Sequence, residues 1–183
     1  MKNIVSVFAV AIFTISTQAS AQNVDKPPST QKITKDVLEV VNKYAEALGC
    51  PFEPAIAKNI AALTPVTSAD GEGEFLAFWD GDIGCAGGSG TGASHAAFVV
   101  RTFSGHFYVD PTRSSPMIDL DFNTRFMERL VGNTKNTIVV DAKDFSGNDS
   151  NCCPTLRFRY TLQADKKGNW KTIEKKALPQ KAN

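Results

Sequence analysis

"TLRFRYTLQA", Thr155 to Ala164, decides the architecture. Leu156, Phe158, Tyr160 and Leu162 alternate with Arg157, Arg159 and Thr161, a period of two that sends apolar side chains to one face of a strand and polar ones to the other. "NWKTI" follows the turn "DKKGN", where Gly168 tolerates positive φ, so the two segments read as a hairpin with one face in a core and one in water. Working backward, "TIVVDAKDF" and "RFMERLVG" form another hairpin across "NTKN". "HFYVD" (His106 to Asp110), "SHAAFVVRTF" (Ser94 to Phe103) and "EFLAFWD" (Glu74 to Asp80) are further strands, the first two joined at Ser104-Gly105.

Before Glu74 the apolar spacing changes to a helical one. Ile33, Val37, Val40, Val41, Tyr44, Ala45 and Leu48 share a helix face, with Thr34 as the expected cap, Asp36 in the first turn, and Gly49 and Pro51 ending the run. A second, shorter helix is expected in "EPAIAKNIAALTP", where Pro54 suits a first turn and Ile56, Ile60 and Leu63 share a face. The expected fold is α+β: one or two N-terminal helices packed on a twisted antiparallel β-meander of about six or seven strands.

The chain opens with Lys2, the apolar run "IVSVFAVAIF" and "TISTQASAQ", in which Ala19 and Ala21 fit the small-residue pattern of a signal-peptide cleavage site. Cleavage is expected after Ala21. The run is shorter than the roughly 20 apolar residues of a membrane span, and no cysteine stands at the expected cleavage point to take a lipid. The expected organisation is a signal peptide over 1–21, a flexible lead-in over 22–32, a single α+β domain over 33–178 and a tail over 179–183. The expected location is a bacterial periplasm or the medium.

Loss of Lys2 lowers the 20 Lys and Arg to 19, equal to the 19 Asp and Glu, so the mature chain carries no formal net charge. Its charge is dispersed apart from a basic tail, which argues against nucleic acid as a partner. Four cysteines remain, Cys50, Cys85, Cys152 and Cys153, an even count that reads as two disulfides in an oxidising compartment. Adjacent residues hold their side chains badly for a disulfide, so Cys50 and Cys85 are each expected to bond one member of the Cys152-Cys153 pair. A zinc site needs spacings such as C-x2-C, which these cysteines lack.

"GDIGCAGGSGTGASH", Gly81 to His95, has the look of an active-site loop. Ser89 or Ser94 with His95 or His106 would supply a nucleophile and base. Yet no histidine precedes Ser89 in the chain, and no strand-to-helix elbow surrounds either serine, because alternation resumes at His95. The loop has no Gly-Lys-Ser/Thr ending for phosphate, and Asp80 and Asp82 offer fewer acids than a dedicated calcium loop. No catalytic residue, cofactor or metal is therefore expected. The expected binding residues are Trp79, Asp80, Asp82, Ser89, Thr91 and His95, joined by Arg113 at the tip of the proline-braced polar loop "YVDPTRSSP".

"FWDGDIGCAGGSGT", "YVDPTRSSP" and "DSNCCPT" followed by an alternating strand and "GNW" resemble exported bacterial proteins of the LppP/LprE lipoprotein type, most of all in the double-cysteine corner. The resemblance implies an envelope protein with an α+β or all-β fold. It does not imply an activity. The leading functional expectation is a disulfide-stapled binding or interaction protein, such as an inhibitor, an immunity-type protein or an envelope accessory factor, whose partner is another envelope or secreted protein. A serine hydrolase using the glycine-rich loop and a purely structural envelope protein are the alternatives.

Overall fold

The computed structural model describes residues 26–88, 90–165 and 168–179. The expected signal peptide, Ser89 and the last four residues of the tail lie outside the described residues. One α-helix and nine strands follow in the order α1 (Thr30–Leu48), β1 (Gly49–Glu53), β2 (Ile60–Thr64), β3 (Gly73–Ile83), β4 (Ala93–Arg101), β5 (Phe107–Val109), β6 (Met127–Asn133), β7 (Thr137–Asp144), β8 (Leu156–Ala164) and β9 (Trp170–Ala177). The strands form two antiparallel sheets where one meander was expected. In the first, β3 is flanked by β4 on one side and by both β1 and β2 on the other, with β5 beyond β4. The second is the simple series β6-β7-β8-β9.

Alternation along β3 and β4 explains the layering. Phe75, Ala77, Trp79, Ala97 and Val99 face α1, where they bury Val37, Val41 and Ala45. Leu76, Phe78, Ala96 and Phe98 face the other way, onto Ile138, Val140, Tyr160 and Leu162 of the second sheet. The molecule is thus three layers, helix, sheet and sheet, with β3 and β4 covered on both sides. Fully burying an aliphatic or aromatic side chain contributes about 1.5–3 kcal/mol, so these two faces carry most of the stabilisation.

The helix starts earlier than expected, inside the stretch read as lead-in. Ser29, not Thr34, is its cap, accepting a hydrogen bond from the Lys32 N–H at 3.2 Å. It ends at Gly49, whose absent side chain is a packing requirement: a Cβ there would stand 2.2 Å from the Asp82 carbonyl oxygen. The expected second helix is absent. Its sequence makes a 3₁₀ turn at Ala57–Asn59 and then β2, because Ala61 and Leu63 are buried by pairing next to β3. Ile56, which the helical reading put on the inner face, is 43% exposed.

The disulfide expectation is also corrected. Cys50 bonds Cys85, with Cα atoms 5.2 Å apart, and Cys152 bonds Cys153. The reason is β1: it runs along the end of β3, with Cys50 opposite Asp82, and so delivers Cys50 to the loop that begins at Gly84. The double-cysteine corner instead belongs to the β7–β8 loop of the second sheet. Asp149 organises that loop by accepting hydrogen bonds from the N–H groups of Ser146 and Thr155, at 2.7 and 2.8 Å. No helix among the described residues is long and apolar enough to cross a membrane.

Candidate functional site

The β3–β4 ladder sets Trp79 opposite His95 and Asp80 opposite Ser94. Successive residues of a strand point to opposite faces, so Ser94 and His95 diverge. The Ser94 hydroxyl donates to the Asp80 carboxylate. The His95 ring lies against Trp79, centroids 4.6 Å apart, with Nε2 3.2 Å from the Gly81 carbonyl oxygen. Burial holds the imidazole below its ordinary pKa, opposed by the Gly81 carbonyl and by the charges of Asp80 and Asp82. A serine and a histidine that face away from each other make no nucleophile–base pair. His106 sits at the other end of β4, in the turn to β5, where its N–H and carbonyl bond Thr102.

The remaining loop residues hold the loop together. Asp82, nearly buried, accepts the Gly87 N–H on Oδ2 at 2.8 Å, and its carbonyl accepts the Cys85 N–H at 3.2 Å. Gly84 takes a φ of 80°, which suits glycine, and Cys85 follows at 53° under the constraint of its disulfide. Thr91 donates to the Gly88 carbonyl. Among the described residues no three His, Cys, Asp or Glu side chains gather where they could hold a metal ion. The stretch is a connector stapled to β1.

Arg113 lies elsewhere. The loop after β5 runs along the outer edge of β4, with the Asp110 N–H on the Phe98 carbonyl and the Ser115 N–H on that of Ala96. Buried Ser114 completes this edge by accepting the Phe98 N–H at 2.8 Å and donating to the Asp110 carbonyl. The Tyr44 hydroxyl ties the helix to the same loop through the Ser115 carbonyl, at 2.8 Å. The result projects Arg113 over the Phe98 ring, 3.3 Å from its centroid, with Nη1 donating to Glu74 at 3.2 Å.

There it lines a cleft of about 640 Å³ between the ends of the two sheets, shared with Glu74, Lys135, Asn136, Asp165 and Gly168. Leu63, Phe98 and Trp170 line its inner end. Glu74 is the second residue of β3 whereas Trp79 lies further along that strand, and the Trp79 cavity has no residue in common with the Arg113 cleft. Trp79, the glycine-rich loop and Arg113 therefore do not form one rim. Trp79 itself is a core residue, 1% exposed. The sequence reading passed over Lys135, Asn136 and Asp165, which sit in or beside the β6–β7 and β8–β9 turns. Only the sheet order shows that these turns close over the same opening.

Compared with known proteins, the chain matches no family model, no curated protein and no solved structure.

Proposed function

We propose that this chain is an exported, non-catalytic binding protein that works in a periplasm or outside the cell and recognises another envelope or secreted protein through the Arg113 cleft. The observation that carries this reading is the balance of used and unused polar groups. Glu74 is engaged on both oxygens, by Arg113 and by the Thr64 hydroxyl, and Asp165 accepts from Asn169 on both of its own. Arg113 uses one of its five N–H donors on a side chain, and Lys135 has no hydrogen-bond or ion-pair partner among the described residues. Arg113 and Lys135 thus keep unused N–H donors beside an apolar inner end, which complements a carboxylate presented on an apolar segment. Two disulfides support the exported location.

The test is zero-length carbodiimide coupling, which joins an amine to a carboxylate, in an envelope extract containing the mature protein. A coupled product through Lys135, lost in Arg113→Glu with the melting temperature unchanged, is the expected result. Coupling indifferent to Arg113→Glu, or labelling of a serine by a fluorophosphonate probe, would overturn the reading.

A further inference from the structure

The β7–β8 corner carries a disulfide that does little for the fold. Cys152 and Cys153 are adjacent, so their bridge takes almost nothing from the freedom of the unfolded chain. The corner keeps its shape by other means. β7 and β8 stay paired up to Asp144 opposite Leu156, Asp149 accepts from the N–H groups of Ser146 and Thr155 and from the Thr155 hydroxyl, and Pro154 is buried. None of these contacts uses a sulfur atom. Both cysteines are exposed.

What the bridge offers is reactivity. The peptide bond that the two residues share sets their Cα atoms 3.7 Å apart, closer than the roughly 4.4–6.8 Å of most disulfides, and such a departure makes the bond easier to reduce. Folding protects a disulfide by holding its partners together. β1 does this for Cys50 and Cys85, which stand 35 positions apart, whereas Cys152 and Cys153 are neighbours whether the chain is folded or not. An exposed bridge without that protection is one that a thiolate reaches and opens. The two sulfurs also differ. Neither carries a hydrogen while bonded, so the Ser150 hydroxyl, 3.2 Å from Cys152 Sγ, is the donor in that contact. A donor there stabilises a thiolate on Cys152 and makes it the better leaving group, and among the described residues Cys153 Sγ has no such donor.

We propose that the Cys152–Cys153 pair is a thiol–disulfide exchange site for low-molecular-weight thiols, attacked at Cys153. A thiolate bonds to Cys153 Sγ, the bond between the two cysteines breaks, and Cys152 leaves as a thiolate facing Ser150 and takes a proton from water. A second thiolate then attacks the sulfur of the first thiol, which releases the small disulfide and the Cys153 thiolate, protonated in its turn. Two small thiols are oxidised to one disulfide, and the protein disulfide is reduced to two thiols. The site lies at the far end of β7 and β8 from the Arg113 cleft and does not rest on it.

In the test, the folded mature protein is equilibrated in glutathione buffers of stepped reduced-to-oxidised ratio, quenched with N-ethylmaleimide and digested with trypsin. The peptide from Asp144 to Arg157 holds both cysteines. Two labels on it are expected at a ratio about tenfold or more less reducing than the one that opens Cys50–Cys85, with the circular dichroism of the folded protein retained. Ser150→Ala is expected to slow the opening about threefold or more, the loss of roughly one hydrogen bond, while Ser150→Thr keeps the rate. Opening of Cys50–Cys85 at the same ratio or an earlier one would overturn the proposal, as would a Cys152–Cys153 bond that stays closed until the protein unfolds. A rate that Ser150→Ala leaves unchanged would also refute it, by removing the reason for attack at Cys153.

Discussion

Arg159 grips Asp141 with two hydrogen bonds, from Nε to Oδ1 at 2.7 Å and from Nη2 to Oδ2 at 3.1 Å. Arg129 adds a third from the opposite neighbouring strand, at 2.8 Å, and Asp141 is fully buried beneath the pair. Burial alone would raise its pKa, but the two guanidiniums outweigh burial and hold it below the ordinary range. A carboxylate gripped in this way locks the register of β6, β7 and β8 together. Asp141→Ala should cost about 3 kcal/mol, the low end for breaking a buried pair, because Arg129 can turn to water. Arg159→Ala should cost less than Asp141→Ala, since Arg129 remains. Urea midpoints of the two variants check the order.

His95 should make stability fall as the pH drops below neutrality. The folded imidazole takes up its proton less readily than the unfolded one, whose ordinary pKa is 6.5. Its contribution is therefore full above about 6.5 and is lost as the pH falls below that value. His95→Gln should flatten the melting temperature across that window. A separate acid limit remains, because the Ser146 and Thr155 amides hold Asp149 at about 2 against an ordinary 3.8. That contribution is present above 3.8 and lost toward 2.

Tryptic digestion without reduction should yield a Cys50–Cys85 linked pair and no peptide joining either to Cys152 or Cys153. The Cys50–Cys85 bridge spans a sequence separation of 35, worth about 4 kcal/mol in the chain-entropy view. Cys50→Ser with Cys85→Ser should accordingly lower stability far more than Cys152→Ser with Cys153→Ser, which opens a ring between neighbours.

Ser114→Ala should cost about 1–3 kcal/mol by stranding the buried Phe98 N–H. Faster hydrogen exchange at Phe98 is the direct readout. Because Ser114 also anchors the Asp110 carbonyl, the same variant should loosen Arg113 and weaken carbodiimide coupling at Lys135.

β8 was legible because one face is core and the other carries Arg157, Arg159 and Thr161, so burial and sequence share one period. β3 and β4 were legible for a different reason: runs such as "LAFW" and "AAFVV" are buried on both faces. β1 and β2 were not. Each has five residues, β1 contains Pro51, and the apolar positions around Ile60 suit a helix as well as a strand until β3 is beside them. The disulfides were misread because adjacency argued against the Cys152–Cys153 bond, which does form, while β1, which brings Cys50 beside the loop of Cys85, was not visible. Arg113 could be read from its rigid polar loop, whereas its neighbours Glu74 and Lys135 are far away in sequence and meet it only once the sheets are stacked.

The outer position of β9 has a consequence for self-association. An edge strand offers a row of backbone donors and acceptors on which a second chain can add a strand. Asp121 takes the Thr172 N–H, and beyond it β9 presents that row beside Glu174, Lys175 and Lys176, all exposed. Docking another copy there would press like charges together. The lysines that look like ordinary surface decoration guard the second sheet against growing from molecule to molecule.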